Sequence, residues 1–160
     1  MTEVLFSLGS NVTPEAHLRA GLKALRDAFG ELHCSPVFEA EPVGFAGTNF
    51  LNMAVKAETD WPLPKILAWI KAVEYAHGRP QNAKKYAPRT LDIDLLTYGD
   101  TVCIEPVVLP RPDILTLAFV LWPLAELVPE QQLPGTEQSY RQLWQAFRGD
   151  QALWPVPFSE

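Results

Sequence analysis

The chain opens on a compact apolar run, Val4 to Leu8, which reads as a strand ended by the turn Gly9-Ser10-Asn11. Beyond it Leu18, Leu22, Leu25 and Phe29 recur at helical spacing. Thr13 is placed as N-cap, Pro14 at the first helical position and Gly30 as the stop. Ser35 to Glu39 reads as a second strand, followed by the loop from Glu41 to Thr48. A longer strand is expected from about Phe50 to Glu58. Ile66, Leu67, Ile70 and Val73 mark one side of a helix over about Pro64 to Ala76, stopped by Gly78. After an irregular polar segment from Arg79 to Pro88, Leu91, Ile93 and Leu95 alternate with Asp92 and Asp94. That is the period of a half-buried strand.

This order, strand-helix-strand twice over, predicts an α+β fold with a ferredoxin-like βαββαβ core. The remainder adds an extended piece with a turn over Val102–Val108, read as a short extra hairpin. A helical run follows from about Leu117 to Leu127, which Pro123 is expected to end or kink. Tyr140, Leu143, Trp144 and Phe147 lie at helical spacing, and Pro155-Val156-Pro157 is expected to be extended. No internal repeat is visible, and residues 1–160 are read as one domain.

Composition narrows the choices. With 48% apolar and 20% charged residues, the chain has the make-up of an ordinary globular protein. A formal charge of −6 and no long basic run disfavour nucleic-acid binding. No apolar stretch is long enough to span a bilayer, and Met1-Thr-Glu leads straight into a strand, so a cytoplasmic location is expected. Cys34 and Cys103 are read as reduced thiols. They and His17, His33 and His77 show no metal-ligand spacing. The fifteen prolines point to long, stiffened loops.

The candidate chemistry centres on Asp92 and Asp94. Period two puts both carboxylates on one strand face, roughly 6–7 Å apart along the backbone. Like charges so close repel unless a cation lies between them. Arg79, Lys84, Lys85 and Arg89 precede them in the polar segment. An acid pair beside a basic loop suits a divalent metal bound with a polyphosphate, because Mg²⁺ prefers a few carboxylates plus phosphate oxygens and water. A strand carrying two solvated aspartates fits the segment alone equally well. There is no glycine-rich phosphate loop, although the Gly9-Ser10-Asn11 amides could meet an anion at the first helix. Between Pro42 and Asn52, Pro42-Val43-Gly44 can offer backbone groups to a flat heterocycle and Phe50 a stacking face. Asn52, on the same strand face as Phe50, carries both donor and acceptor atoms. Core packing accounts for Phe50 as well; an amide inside an apolar strand is harder to account for by packing.

These residues resemble one family, the 6-hydroxymethyl-7,8-dihydropterin pyrophosphokinases. Pro88-Arg89-Thr90-Leu91-Asp92-Ile93-Asp94-Leu95-Leu96 is similar to its signature, and Leu5 to Asn11 to its opening strand and turn. Phe50 to Val55 resembles its pterin-side strand, and Ala118 to Leu124 its late helical motif. The resemblance implies Mg²⁺-dependent transfer of pyrophosphate from ATP to the pterin hydroxymethyl group, with release of AMP. It implies two Mg²⁺ ions on Asp92 and Asp94, with Arg79 and Arg89 also catalytic. It further implies a pterin pocket of Pro42, Val43, Gly44, Phe50, Asn52, Tyr86 and Phe119. The ATP site would comprise Glu74, Arg79, Lys85, Arg89, Leu95 and Arg111. ATP and the pterin would be the partners of a monomer. Departures fall on the nucleotide side. Gln81 replaces an arginine, Tyr86-Ala87 a tryptophan-glycine pair, and Arg111, followed by Pro112, the usual histidine; Leu117 stands where arginine is common. A divergent pterin-binding paralogue and a noncatalytic ferredoxin-like interaction module are the alternatives. The second gains little from two repelling aspartates.

Overall fold

The computed structural model describes residues 1–42, 48–78 and 90–160. Its elements are β1 (Thr2–Ser10), α1 (Pro14–Phe29), β2 (His33–Cys34), β3 (Val37–Ala40), β4 (Phe50–Thr59), α2 (Leu63–Ala76) and β5 (Asp92–Tyr98). They are followed by α3 (Asp113–Thr116), α4 (Ala118–Leu127), α5 (Tyr140–Ala146) and β6 (Leu153–Val156). The strands form one sheet in the order β5-β1-β4-β3-β6, with β2 also paired to β4, and every pairing is antiparallel. The order β5-β1-β4-β3, with α1 and α2 as the crossovers, is the ferredoxin-like arrangement that the element order predicts.

Each sheet face has its own core. Val4, Phe6 and Leu8 of β1 pack with Leu91, Ile93 and Leu95 beneath Leu18, Leu22 and Leu25 of α1 and Ile66 and Ile70 of α2. On the opposite face Leu5, Ala54 and Leu96 pack with Ile114, Val120, Leu121, Leu124 and Tyr140. β1 is thus covered on both sides, which is why Val4, Leu5 and Phe6 are apolar at successive positions and do not alternate with polar ones. β5 carries one extra residue where its register against β1 shifts between Leu5 and Phe6. Leu95 and Leu96 accordingly join different cores.

Several local expectations are corrected. β1 does not stop at Leu8 but pairs through Ser10, so Gly9 and Ser10 are strand residues. Thr13 stands at the N-cap position as expected, but in a left-handed conformation (φ 39°) and without a side-chain cap; its hydroxyl meets His17 Nδ1 at 3.1 Å instead. The expected hairpin near Val102–Val108 reduces to a single bridge between Cys103 and Leu109. Pro123 does not end α4, which runs on to Leu127 with the proline buried inside it. α5 starts from a capping box, Ser139 with Gln142, that the spacing Ser-x-x-Gln announces. The extended tail becomes β6, paired along β3 from Val37↔Val156 to Ala40↔Leu153.

The strand expected over Ser35–Glu39 is split between β2 and β3, because Pro36 has no N–H to give the ladder. Ser35 restores part of it. Its hydroxyl accepts a hydrogen bond from Ala54 N (2.9 Å) and donates to Pro36 O (2.7 Å). Ser35→Ala leaves a buried strand amide unpaired, so its unfolding free energy should fall by about 1–3 kcal/mol. Urea denaturation measures this; an unchanged midpoint would contradict the bridging role.

Candidate active site

Register carries the site. Asp92 lies opposite Gly9, Gly9 opposite Asn52 and Asn52 opposite Phe38, so one row crosses β5, β1, β4 and β3. The next row of that face sets Asp94 opposite Ser7, and Ser7 opposite Ala54. Residues directly opposite one another share a face, so the two aspartates and Asn52 project together, roughly 10 Å apart across the small residues of β1. A Cβ on Gly9 would come within 2.7 Å of Asn52 Oδ1. The carboxamide therefore lies over the glycine, in space that any side chain there would fill. Asn52 is 2% exposed, and its Nδ2 has no hydrogen-bond partner among the described residues. A buried amide without a partner is costly in a finished core but suited to a ligand that supplies the acceptor.

Around the acid pair the charge is uneven. Glu74 of α2 accepts a hydrogen bond from Ile93 N (2.9 Å) at the edge of the sheet, between the two aspartates in sequence. Arg111 Nη2 stands 3.2 Å from Asp94 Oδ1, and Arg111 Nε 3.7 Å from Asp113 Oδ2. Burial pushes the Asp94 carboxyl up to about 8, and the charge of Asp92 adds to that. Arg111 opposes the rise; a hydrogen bond with Asp92 and the charge of Glu74 reinforce it. Asp92 and Asp94 are in hydrogen-bond contact, and the Arg111 guanidinium is set against Asp94. Oxygen donors of that kind fit Mg²⁺. No three His, Cys, Asp or Glu groups converge as a metal cluster among the described residues, so water or phosphate oxygens would complete the shell.

The expected site residues are placed unevenly. Asp92, Asp94, Glu74 and Arg111 come together at β5, and Asn52 shares their sheet face. Phe50, opposite Ala40, is half-buried on the same strand face as Asn52. Phe119, second residue of α4, is half-buried against the core beneath that helix. Pro42 borders a separate cavity of about 310 Å³, shared with Glu41, Leu117, Ala118, Phe147 and Asp150, that contains neither aspartate nor Asn52. Leu95 has its side chain 1% exposed in the core beneath α1 and α2, so its main chain is what is left to meet a nucleotide. Val43, Gly44, Arg79, Gln81, Lys84, Lys85, Tyr86, Ala87 and Arg89 lie outside the described residues. The reading along the chain missed Ser7 and Asp113, and it offered Gly9 to an anion as part of a turn, where the structure sets it beneath the Asn52 carboxamide.

An antiparallel α+β sheet with a carboxylate pair and a ligand-seeking amide on one face defines a small-molecule enzyme of ferredoxin-like topology. A family model described as 7,8-dihydro-6-hydroxymethylpterin-pyrophosphokinase matches residues 5–129. The chain belongs to this family and is a pyrophosphokinase of folate biosynthesis. It is 33% identical to the 2-amino-4-hydroxy-6-hydroxymethyldihydropteridine pyrophosphokinase of Pseudomonas aeruginosa, over 82% of this chain and 83% of that protein. With the enzyme of the same name from Aquifex aeolicus it shares 32% identity over 97% and 96% of the two chains. Among solved structures, the wild-type Plasmodium falciparum HPPK-DHPS with SDX-DHP superposes with a TM-score of 0.70 at 13% identity. That likeness establishes the fold. It covers 91% of this chain and 43% of the solved one, so this chain spans under half the length of that neighbour.

Proposed function

We propose that this enzyme transfers pyrophosphate from ATP to the hydroxyl of 6-hydroxymethyl-7,8-dihydropterin, with Mg²⁺, in the cytoplasm. The observation that carries the reading is the shared face of Asp92, Asp94 and Asn52, with Gly9 between them. Asp92 and Asp94 hold two Mg²⁺ ions against the nucleotide. When bound, the metal offsets charge on the attacking and leaving oxygens of an in-line transfer. Glu74 fixes the strand that presents the two carboxylates, through its bond to Ile93 N. Asn52 supplies the buried donor for the pterin ring; Pro42, Val43, Gly44, Phe50, Tyr86 and Phe119 enclose it. Arg79, Lys85, Arg89 and Arg111 meet the phosphates, and Leu95 contributes main chain. The hydroxyl oxygen bonds to the β-phosphorus, whose bond to the bridging oxygen breaks, and AMP departs with that oxygen. No strong base is assigned to the hydroxyl, so positioning and charge carry the step.

Incubation with ATP, Mg²⁺ and the hydroxymethyl-dihydropterin is expected to release AMP, in amounts matching pterin diphosphate, and only when the pterin is present. AMP released without pterin would contradict the assigned acceptor. Pterin binding with no AMP would mark a pterin-binding protein in place of a transferase.

A further inference from the structure

Arg111 is held differently at its two ends. Its main chain is fixed: Arg111 N donates to Leu96 O (2.9 Å), and Ile114 N donates to Arg111 O (3.1 Å). Those bonds tie it beside the extra residue of β5. Its side chain runs back along β5 to Asp94 and is held mainly by charge. Nη2 lies 3.2 Å from Asp94 Oδ1, while the buried Nε makes no hydrogen bond among the described residues and stands 3.7 Å from Asp113 Oδ2. The Arg111 and Asp94 side chains keep 30% and 25% of their exposure, enough for an incoming ligand to reach both. The Asp94 oxygen that faces Arg111 belongs to the carboxylate assigned to the metal.

We infer that Arg111 is a resident counter-cation that occupies Asp94 until the nucleotide's polyphosphate takes the guanidinium in exchange and frees the carboxylate for metal. The inference rests on the metal and nucleotide assignment proposed above. A bare divalent ion reaching Asp94 must displace Arg111 and leave its guanidinium, among the described residues, with the longer contact to Asp113. A metal arriving with polyphosphate brings the partner that a planar guanidinium prefers, since phosphate oxygens accept two parallel N–H bonds. Metal and nucleotide therefore favour each other's binding, and linkage makes the effect reciprocal. Without the guanidinium beside it, Asp94 would attract a bare cation more strongly.

Mn²⁺, followed by electron paramagnetic resonance with the full-length protein, serves as the probe. Without nucleotide, Arg111→Gln is expected to bind Mn²⁺ about tenfold more tightly than wild type. A nonhydrolysable ATP analogue should then tighten Mn²⁺ less in the variant than in wild type. Arg111→Lys, which keeps the charge, should return nucleotide-free Mn²⁺ affinity toward the wild-type value. Unchanged or weaker Mn²⁺ binding by Arg111→Gln overturns the inference, as does equal tightening by the analogue in both proteins. Asp94→Asn separates this from the underlying reading. If Asp94→Asn still binds Mn²⁺ as wild type does, the metal assignment itself fails, whatever Arg111 does. Loss of Mn²⁺ in that variant upholds the assignment and leaves the Arg111 comparison decisive.

Discussion

Asp94→Asn is expected to cut turnover by roughly a thousandfold or more, the several kcal/mol that a bound metal contributes to such a transfer. In the same variant the ligand-free protein should melt at a higher temperature. The second effect comes from the burial of the carboxyl. Asp94 is pushed from its ordinary value of 3.8 up to about 8 by burial and by Asp92. The folded chain therefore keeps a proton that the unfolded chain releases. Where the folded state binds more protons, stability falls as pH rises. The contribution of this group is full below about pH 4 and is lost as pH climbs through about 8. Asparagine has the same shape and no charge to desolvate. The melting temperatures of variant and wild type should coincide near pH 4 and diverge by several degrees at pH 8, at about 2–4 °C for each kcal/mol. Because Asp92 and Asp94 titrate together, the change belongs to the pair. Mg²⁺ should raise the melting temperature of wild type and leave the variant unmoved. Equal melting temperatures at pH 8 would show that the carboxyl pair is not under strain. Full turnover in the variant would remove Asp94 from the metal site.

Gly9→Ala is the second large effect, and it acts at a distance from the chemistry. The new methyl would stand 2.7 Å from Asn52 Oδ1, inside van der Waals contact, one pair from the end of the β1–β4 ladder. The main chain of β1 is anchored on both sides by β4 and β5, so the carboxamide must move instead. Stability should fall only modestly, by about 1–2 kcal/mol, as for other small overpacking changes. Pterin affinity should fall about tenfold or more, because a misplaced amide forfeits hydrogen bonds of about 1–3 kcal/mol in a buried site. Nucleotide-analogue affinity should change little. Isothermal titration of pterin against Gly9→Ala, Asn52→Ala and the double variant tests the coupling. If glycine acts through asparagine, the two losses are not additive, and the double variant binds about as weakly as Asn52→Ala alone. Additive losses, or wild-type pterin affinity in Gly9→Ala, would rule out the positioning role.

Much of the site was legible along the chain because its signals are local. Alternation alone put Asp92 and Asp94 on one strand face. Asn52 stood out as an amide in an apolar run, and its burial without a partner for Nδ2 bears out the oddity. The same alternation that presents the aspartates turns the Leu95 side chain inward, into the core. The ladder beyond Leu8 was missed because a glycine after a strand reads as a turn when no partner strand is in view. Pro36 and Pro123 likewise gave the right local chemistry without its outcome. One divides a strand that a serine hydroxyl repairs, and the other is carried inside a helix that buries it.

The chain by itself determined which residues alternate, where helices start and stop, and hence the βαββαβ order and the carboxylate pair. Those properties depend on neighbours within a turn or two of the backbone. The tertiary structure decided which distant residues stand opposite one another. It set Asp92 and Asn52 on either side of Gly9, brought Arg111 back to Asp94 and zipped Leu153–Val156 onto β3. Register and cross-element distance come from packing two cores against one sheet at once. No local period contains that information, because a single-residue slip between strands would keep every period and turn each side chain to the wrong face.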